Sequence, residues 1–249
     1  MKLLLTISYL GTHFHGFQVQ PGLRTVQGTL QQALEGFFGE KLLLTGCSRT
    51  DAGVHARMFC LTVEGKLFPG MPPEKLPLAL SPYLPPDLMI LSARQVDDSF
   101  HPRYQVAYKE YRYEIWNHPI RNPFLADRAY HYPIKLDLAK MQAAADHLVG
   151  KHDFAAFMAQ GSSVTSTVRT IRYFQVYQQG DLVILQVAAD GFLYNMVRIL
   201  AGTLLEVSAG RIAVDSMEKI LASGDRRQAG TTLPPEGLYL SHVEYTENG

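Results

Sequence analysis

Ala107-Tyr108-Lys109-Glu110-Tyr111-Arg112-Tyr113-Glu114-Ile115-Trp116 is the stretch on which the reading of the fold turns. Tyrosines and charges alternate along it, as on a strand with one covered and one open face. Downstream, a helix is predicted over about 138–148 behind Asp137 as N-cap, then strands over 169–178 and 182–188 joined by the turn Gln178-Gln179-Gly180-Asp181. A helix over 192–207, a shorter one over 216–222 and a strand over 238–244 complete this half. Upstream the same order is already present. Residues 2–9 read as a buried strand, and Val26, Leu30, Ala33, Leu34 and Phe37 fall at helical spacing behind Thr25. Strands over 41–46 and 57–64, a short helix over 74–80 in a Pro-rich stretch, and a strand over 88–96 follow.

Each half therefore reads β-α-β-β-α-β, the order of a split βαβ unit. The expected fold is α+β: two ferredoxin-like (RRM-like) halves, 1–104 and 105–249, joined through a mostly antiparallel sheet with a central cleft. The repetition lies in the order of elements and not in the residues. Ligands favour such a junction between halves. The polar stretches 117–136 and 159–168 read as long surface loops, of a length that usually serves function.

Composition narrows the class. With 47% hydrophobic and 18% charged residues over 249, the chain is a folded one. No apolar run approaches the roughly 20 residues needed to span a bilayer. The amino terminus has no small-residue cleavage site and reads as a first strand, so a cytoplasmic protein without a membrane partner is expected. Two cysteines, Cys47 and Cys60, lack companions at zinc spacing and read as buried reduced thiols. The formal charge is zero, with 23 basic and 23 acidic residues, which argues against indiscriminate polyanion binding. Arginines outnumber lysines fourteen to nine, which suits bidentate phosphate contacts, so charge leaves nucleic acid undecided.

Familiar catalytic frameworks are missing: no G-x-S-x-G elbow, no phosphate-binding Gly-rich loop, no H-E-x-x-H, no dinucleotide fingerprint. His13 and His15 have no acid or cysteine cluster beside them. Carboxylates and arginines remain. In Gly46-Cys47-Ser48-Arg49-Thr50-Asp51-Ala52-Gly53-Val54-His55-Ala56, Asp51 has a cation two residues before it, a hydroxyl beside it and two small residues after it. That suits an ionised carboxylate close to a substrate, and it equally suits an Asx-type turn. The loop Tyr9 to Gln20, with Phe14 and Gln18, mixes aromatics, glycines and amides as base recognition does. Further segments are Phe100-His101-Pro102-Arg103, the strand face of Tyr111 and Tyr113, and Glu236-Gly237-Leu238-Tyr239-Leu240. Arg198 stands in an apolar helix, and a buried arginine needs an anionic partner; Asp51 would be an economical one.

Together these segments resemble the tRNA pseudouridine synthase A family. Arg49 to Ala56 is similar to its signature, and the Y-x-G-x-x-F-x-G-x-Q-x-Q loop, the K-x-Y-x-Y strand (Lys109 to Tyr113), the F-x-x-x-M-V-R helix (Phe192 to Arg198) and Glu236 to Leu240 follow in the family's order. Phe17 stands where the family often has tryptophan, and Pro102 where it often has alanine. The resemblance implies isomerisation of uridine to pseudouridine at positions 38 to 40 of the tRNA anticodon stem-loop, without metal or organic cofactor, by a homodimer. It implies Asp51 as the catalytic nucleophile, Arg198 holding it charged, and Tyr111 stacked on the uracil. Arg49, Phe14, Gln18, Arg103, His55 and Leu238 become candidate substrate contacts. A basic stripe is then expected near Asp51, offset by acids such as Glu236, Glu244 and Glu247. Rival readings are a pseudouridine synthase of the same fold acting on another RNA, an RNA-binding module without catalysis and a glycosidase-like hydrolase. The RNA-binding module lacks an aromatic RNP strand, and the hydrolase lacks a clear second carboxylate near Asp51.

Overall fold

The computed structural model describes residues 2–65, 71–161 and 164–246. Glu247 and part of the 159–168 stretch therefore lie outside the described residues. In chain order the strands and helices are β1 (Lys2–Tyr9), α1 (Val26–Phe38), β2 (Leu43–Gly46), β3 (His55–Glu64), α2 (Leu76–Leu80) and β4 (Leu88–Val96). They continue as β5 (Val106–Trp116), β6 (Tyr130–His131), α3 (Leu138–Asp146), β7 (Gly150–Asp153), β8 (Val168–Gln179) and β9 (Leu182–Ala189). The chain ends with α4 (Met196–Ser208), α5 (Met217–Ser223) and β10 (Leu238–Tyr245). Two compact units result, one of Met1–Ala107 with Tyr239–Gly249 and one of Tyr108–Leu238. Each is a mixed α+β structure on a mostly antiparallel sheet.

In the first unit β1 lies between β3 and β4, antiparallel to both. β2 takes the far half of the other edge of β3, pairing Leu43 with Glu64 through Gly46 with Leu61. β10 takes the near half of that edge in parallel, pairing Tyr239 with His55 and Leu240 with Ala56. A division at residue 104 leaves this last strand with the second half, whereas from Tyr239 on it groups with the first unit. α1 forms as its spacing requires: Val26, Leu30, Ala33, Leu34 and Phe38 are buried. Thr25 caps it by accepting from the Gly28 N–H at 3.2 Å, which satisfies one of the amides that a helix start leaves open.

In the second unit the sheet runs β5-β9-β8-β7, antiparallel throughout, with β6 parallel to the end of β5. Tyr111 is opposite Val187 and Tyr113 opposite Leu185, so both tyrosines stand on one face, with Phe174 beside Val187. Asp137 caps α3 by accepting from the Lys140 N–H at 3.1 Å. α4 begins at Met196, four residues after its expected start, because Asn195 at φ 59° has a left-handed backbone that a right-handed helix cannot include. The short strands β6 and β7 carry no apolar alternation; β6 falls within the stretch 117–136 expected as a loop, and β7 where no element is predicted. Among the described residues no helix is long and apolar enough to cross a membrane.

Candidate active site

In the first unit the residues around Asp51 form a tight turn between β2 and β3. The Val54 N–H donates to the Asp51 carbonyl at 3.2 Å, and Gly53 stands at φ 79°. The Asp51 side chain is half-buried, neither sequestered in the core nor fully solvated. The turn is fastened to the loop after β1 at several points. The Tyr9 and Thr50 hydroxyls share a buried hydrogen bond of 2.8 Å. The Phe17 N–H donates to Thr50 O at 3.1 Å, and the Gly53 N–H donates to Phe14 O at 3.2 Å. At Gly11 a β-carbon would fall 2.0 Å from the Val54 carbonyl oxygen, so only glycine allows the two loops to meet here.

His55 is fully buried and acts as a brace. Its Nδ1 accepts from the Gly11 N–H at 2.9 Å, which places the proton of a neutral ring on Nε2. The ring stacks on Tyr239 at 4.7 Å, and the Arg57 guanidinium lies 4.8 Å from the Tyr239 ring centre. β10 thus supports the Asp51 turn through an aromatic contact as well as through backbone pairing. Phe14, expected against the substrate, is 2% exposed, with the Arg24 guanidinium 4.1 Å from its ring centre and Tyr9 edge-on at 6.3 Å. Its observed work is packing of the loop. Arg24 is held there by a bidentate pair to Asp87, 2.7 Å on each arm, which pulls the Asp87 carboxyl below its ordinary range.

The polar candidates of this unit reach outward. Arg49 is exposed two residues from Asp51. Gln18 is exposed, and its amide donates to Gln27 Oε1 at 2.8 Å. Arg103 is exposed on a turn in which its N–H donates to His101 Nδ1 at 3.2 Å. Of the expected compensating acids, Glu244 is paired with His242 Nε2 at 2.7 Å.

The second unit gathers Tyr111, Tyr113, Phe192, Arg198 and the segment 233–238. Tyr111 is 6% exposed, and its ring meets Phe192 edge to face at 4.9 Å. Tyr113 donates its hydroxyl to Pro234 O at 2.7 Å. Burial pushes that phenol well above the usual tyrosine range, with Glu236 adding to the rise and Arg198 opposing it. Leu238 is buried. Arg198, read as a buried cation, is half-buried. Its Nε donates to Leu233 O at 2.6 Å and its Nη1 donates to Asn195 Oδ1 at 2.8 Å. Asn195 is a partner of Arg198 that the periodic reading does not single out, because it lies inside an otherwise continuous helical pattern. Among the described residues no group of three or more His, Cys, Asp or Glu side chains could hold a metal ion.

Residues 5–105, which carry the braced aspartate turn, and 144–246, which carry the arginine helix, match the sequence model for tRNA pseudouridine synthases. The class is that of isomerases that modify RNA. The tRNA pseudouridine synthase A of Acetivibrio thermocellus is 44% identical over 241 residues, covering 97% of this chain and 98% of its own. Those of Thermoanaerobacter sp. strain X514 and Bacillus pumilus are each 43% identical, covering 98% of this chain and 99% of theirs. The chain belongs to the tRNA pseudouridine synthase A family.

Proposed function

We propose that this tRNA pseudouridine synthase isomerises uridine at positions 38, 39 and 40 of the anticodon stem-loop, with Asp51 as nucleophile. The observation that carries the reading is the Asp51 turn, half-open to solvent and fixed from behind by Tyr9, Gly11 and His55. The reaction breaks the C1′–N1 bond, turns the uracil, joins C1′ to C5 and releases the C5 proton, while N1 gains one. It is redox-neutral, and an ionised carboxylate with positioned partners suffices for it. Asp51 must be charged, and Arg198 is assigned to hold it so, since a neighbouring guanidinium favours the anion. Tyr111 stacks on the uracil and takes part in removing the C5 proton. Arg49 and Arg103, both exposed, serve the RNA backbone, as arginine geometry suits phosphate.

Within this reading each unit is a ferredoxin-like fold, the tRNA lies in a basic cleft, and the working species is a cytoplasmic homodimer. The two buried cysteines, neither in a disulfide, suit a reducing compartment. The target base must leave its stack, at about a few kcal/mol, before Asp51 can act. The deciding assay is tritium release from tRNA labelled at uridine C5. Wild type is expected to release label, whereas Asp51→Ala binds tRNA and releases none. Full release by Asp51→Ala would overturn the assignment. Arg198→Met is expected to turn over very slowly, and near-normal turnover would remove Arg198 from the site.

A further inference from the structure

Asn195 is, among the described residues, the non-glycine residue with a left-handed backbone, at φ 59° and ψ 9°. Asparagine tolerates that region better than most residues, but glycine would meet it without any strain. A side chain retained in such a conformation points to a use for the side chain, because strained positions cluster where function holds them. Here the use is visible. The Asn195 side chain makes no capping bond to the amides of α4, although asparagine at this position ordinarily does. Its Oδ1 instead accepts from Arg198 Nη1 at 2.8 Å, while its carbonyl accepts the Ile199 N–H at 3.0 Å and so starts the helix.

The second hold on Arg198 comes from the chain segment that crosses α4. Leu233 O accepts from Arg198 Nε at 2.6 Å, and the Leu233 N–H donates to Arg198 O at 3.2 Å. Gly230 donates its N–H to Thr203 Oγ1 at 2.9 Å, which ties the same segment one turn further along. The guanidinium is planar, so two bonds from different directions fix both its position and its plane. One is a main-chain oxygen that any sequence would supply. The other depends wholly on residue 195.

We propose that Asn195 is a positioning residue: its left-handed turn aims Oδ1 at Arg198 Nη1 and sets the plane in which that guanidinium meets its anionic partner. The proposal rests on the reading that Arg198 serves the reacting carboxylate. A neutral acceptor orients the cation without neutralising it. An aspartate at 195 would offer the same geometry and add a competing charge, so the amide is the residue type that leaves Arg198 available as a counter-ion.

The test compares Asn195→Gly, Asn195→Asp and Arg198→Lys, and the double variant Asn195→Gly/Arg198→Lys, by tritium release and thermal melting. Glycine keeps the backbone and removes the amide, so it is expected to fold with an unchanged Tm. Its kcat should fall about 10- to 100-fold, the scale of a misplaced catalytic group, with the KM for tRNA within about twofold. Asn195→Asp should also lose kcat despite keeping the acceptor. In the Arg198→Lys background the glycine substitution should cost little more, because the interaction it removes is already gone. Wild-type kcat in Asn195→Gly, or a full multiplicative loss in the double variant, would overturn the proposal. If instead Arg198→Lys and Arg198→Met keep wild-type kcat, the underlying assignment of Arg198 fails, an outcome separate from either result at Asn195.

Discussion

Arg24 and Asp87 carry a residue-scale consequence for stability. Their paired hydrogen bonds hold a guanidinium over Phe14, and Phe14 packs the loop that braces the Asp51 turn. The Asp87 carboxyl titrates below its unfolded value, chiefly because Arg24 bonds to it. A lowered folded pKa means that the pair's contribution is present above the unfolded value near 3.9 and is lost as pH falls through the folded one. Arg24 is more than a third exposed, so solvent screens the pair and the effect is about 0.5–1 kcal/mol. Asp87→Asn is therefore expected to lower Tm at pH 7 and to converge on wild type only as pH falls below the lowered range of the Asp87 carboxyl, as followed by circular dichroism. The sequence displayed Asp51 through its neighbours. It could not display this pair, because Arg24 and Asp87 are 63 residues apart and meet only when the fold brings them together.

At the scale of elements, α4 and the segment crossing it show how closely two pieces of backbone must approach to set a side chain. A β-carbon on Gly202 would fall 1.9 Å from the Thr231 carbonyl oxygen, a contact that no rotamer can relieve. Gly202→Ala is expected to cost about 1–3 kcal/mol, measured by urea denaturation, because the crossing segment must shift. With it would move Leu233 O, and turnover should fall along with stability. The positions of α1, α3 and the long strands were legible because each buries an apolar face with the period of its element. β7 was not, since Gly150-Lys151-His152-Asp153 has no such face and is a strand only by its backbone pairing with β8. The start of α4 was hidden for a different reason. Residues 192–195 continue the apolar pattern, and the break at Asn195 is a matter of dihedral angle, which periodicity does not report.

For the whole molecule, the zero formal charge is compatible with a polyanionic substrate only if cations and acids are segregated. The KM for tRNA should then rise steeply between about 50 and 200 mM salt while kcat changes little. A flat response would remove the basic band from the proposed function. The repeated order of elements carries the expectation of two halves. It carries no sign of where the last strand pairs, because a parallel pairing between residues 239–240 and 55–56 leaves no local signature. That strand also bears on how the molecule comes into being. The unit whose residues are synthesised first obtains Tyr239, the ring beneath His55, only once β10 has been made. Domains generally fold as they emerge, amino-terminal first. Here the turn holding Asp51 waits on the synthesis of β10 for its final support. A nascent chain halted before β10 should therefore show a protease-sensitive 50–56 segment, and a chain extended beyond β10 should protect it.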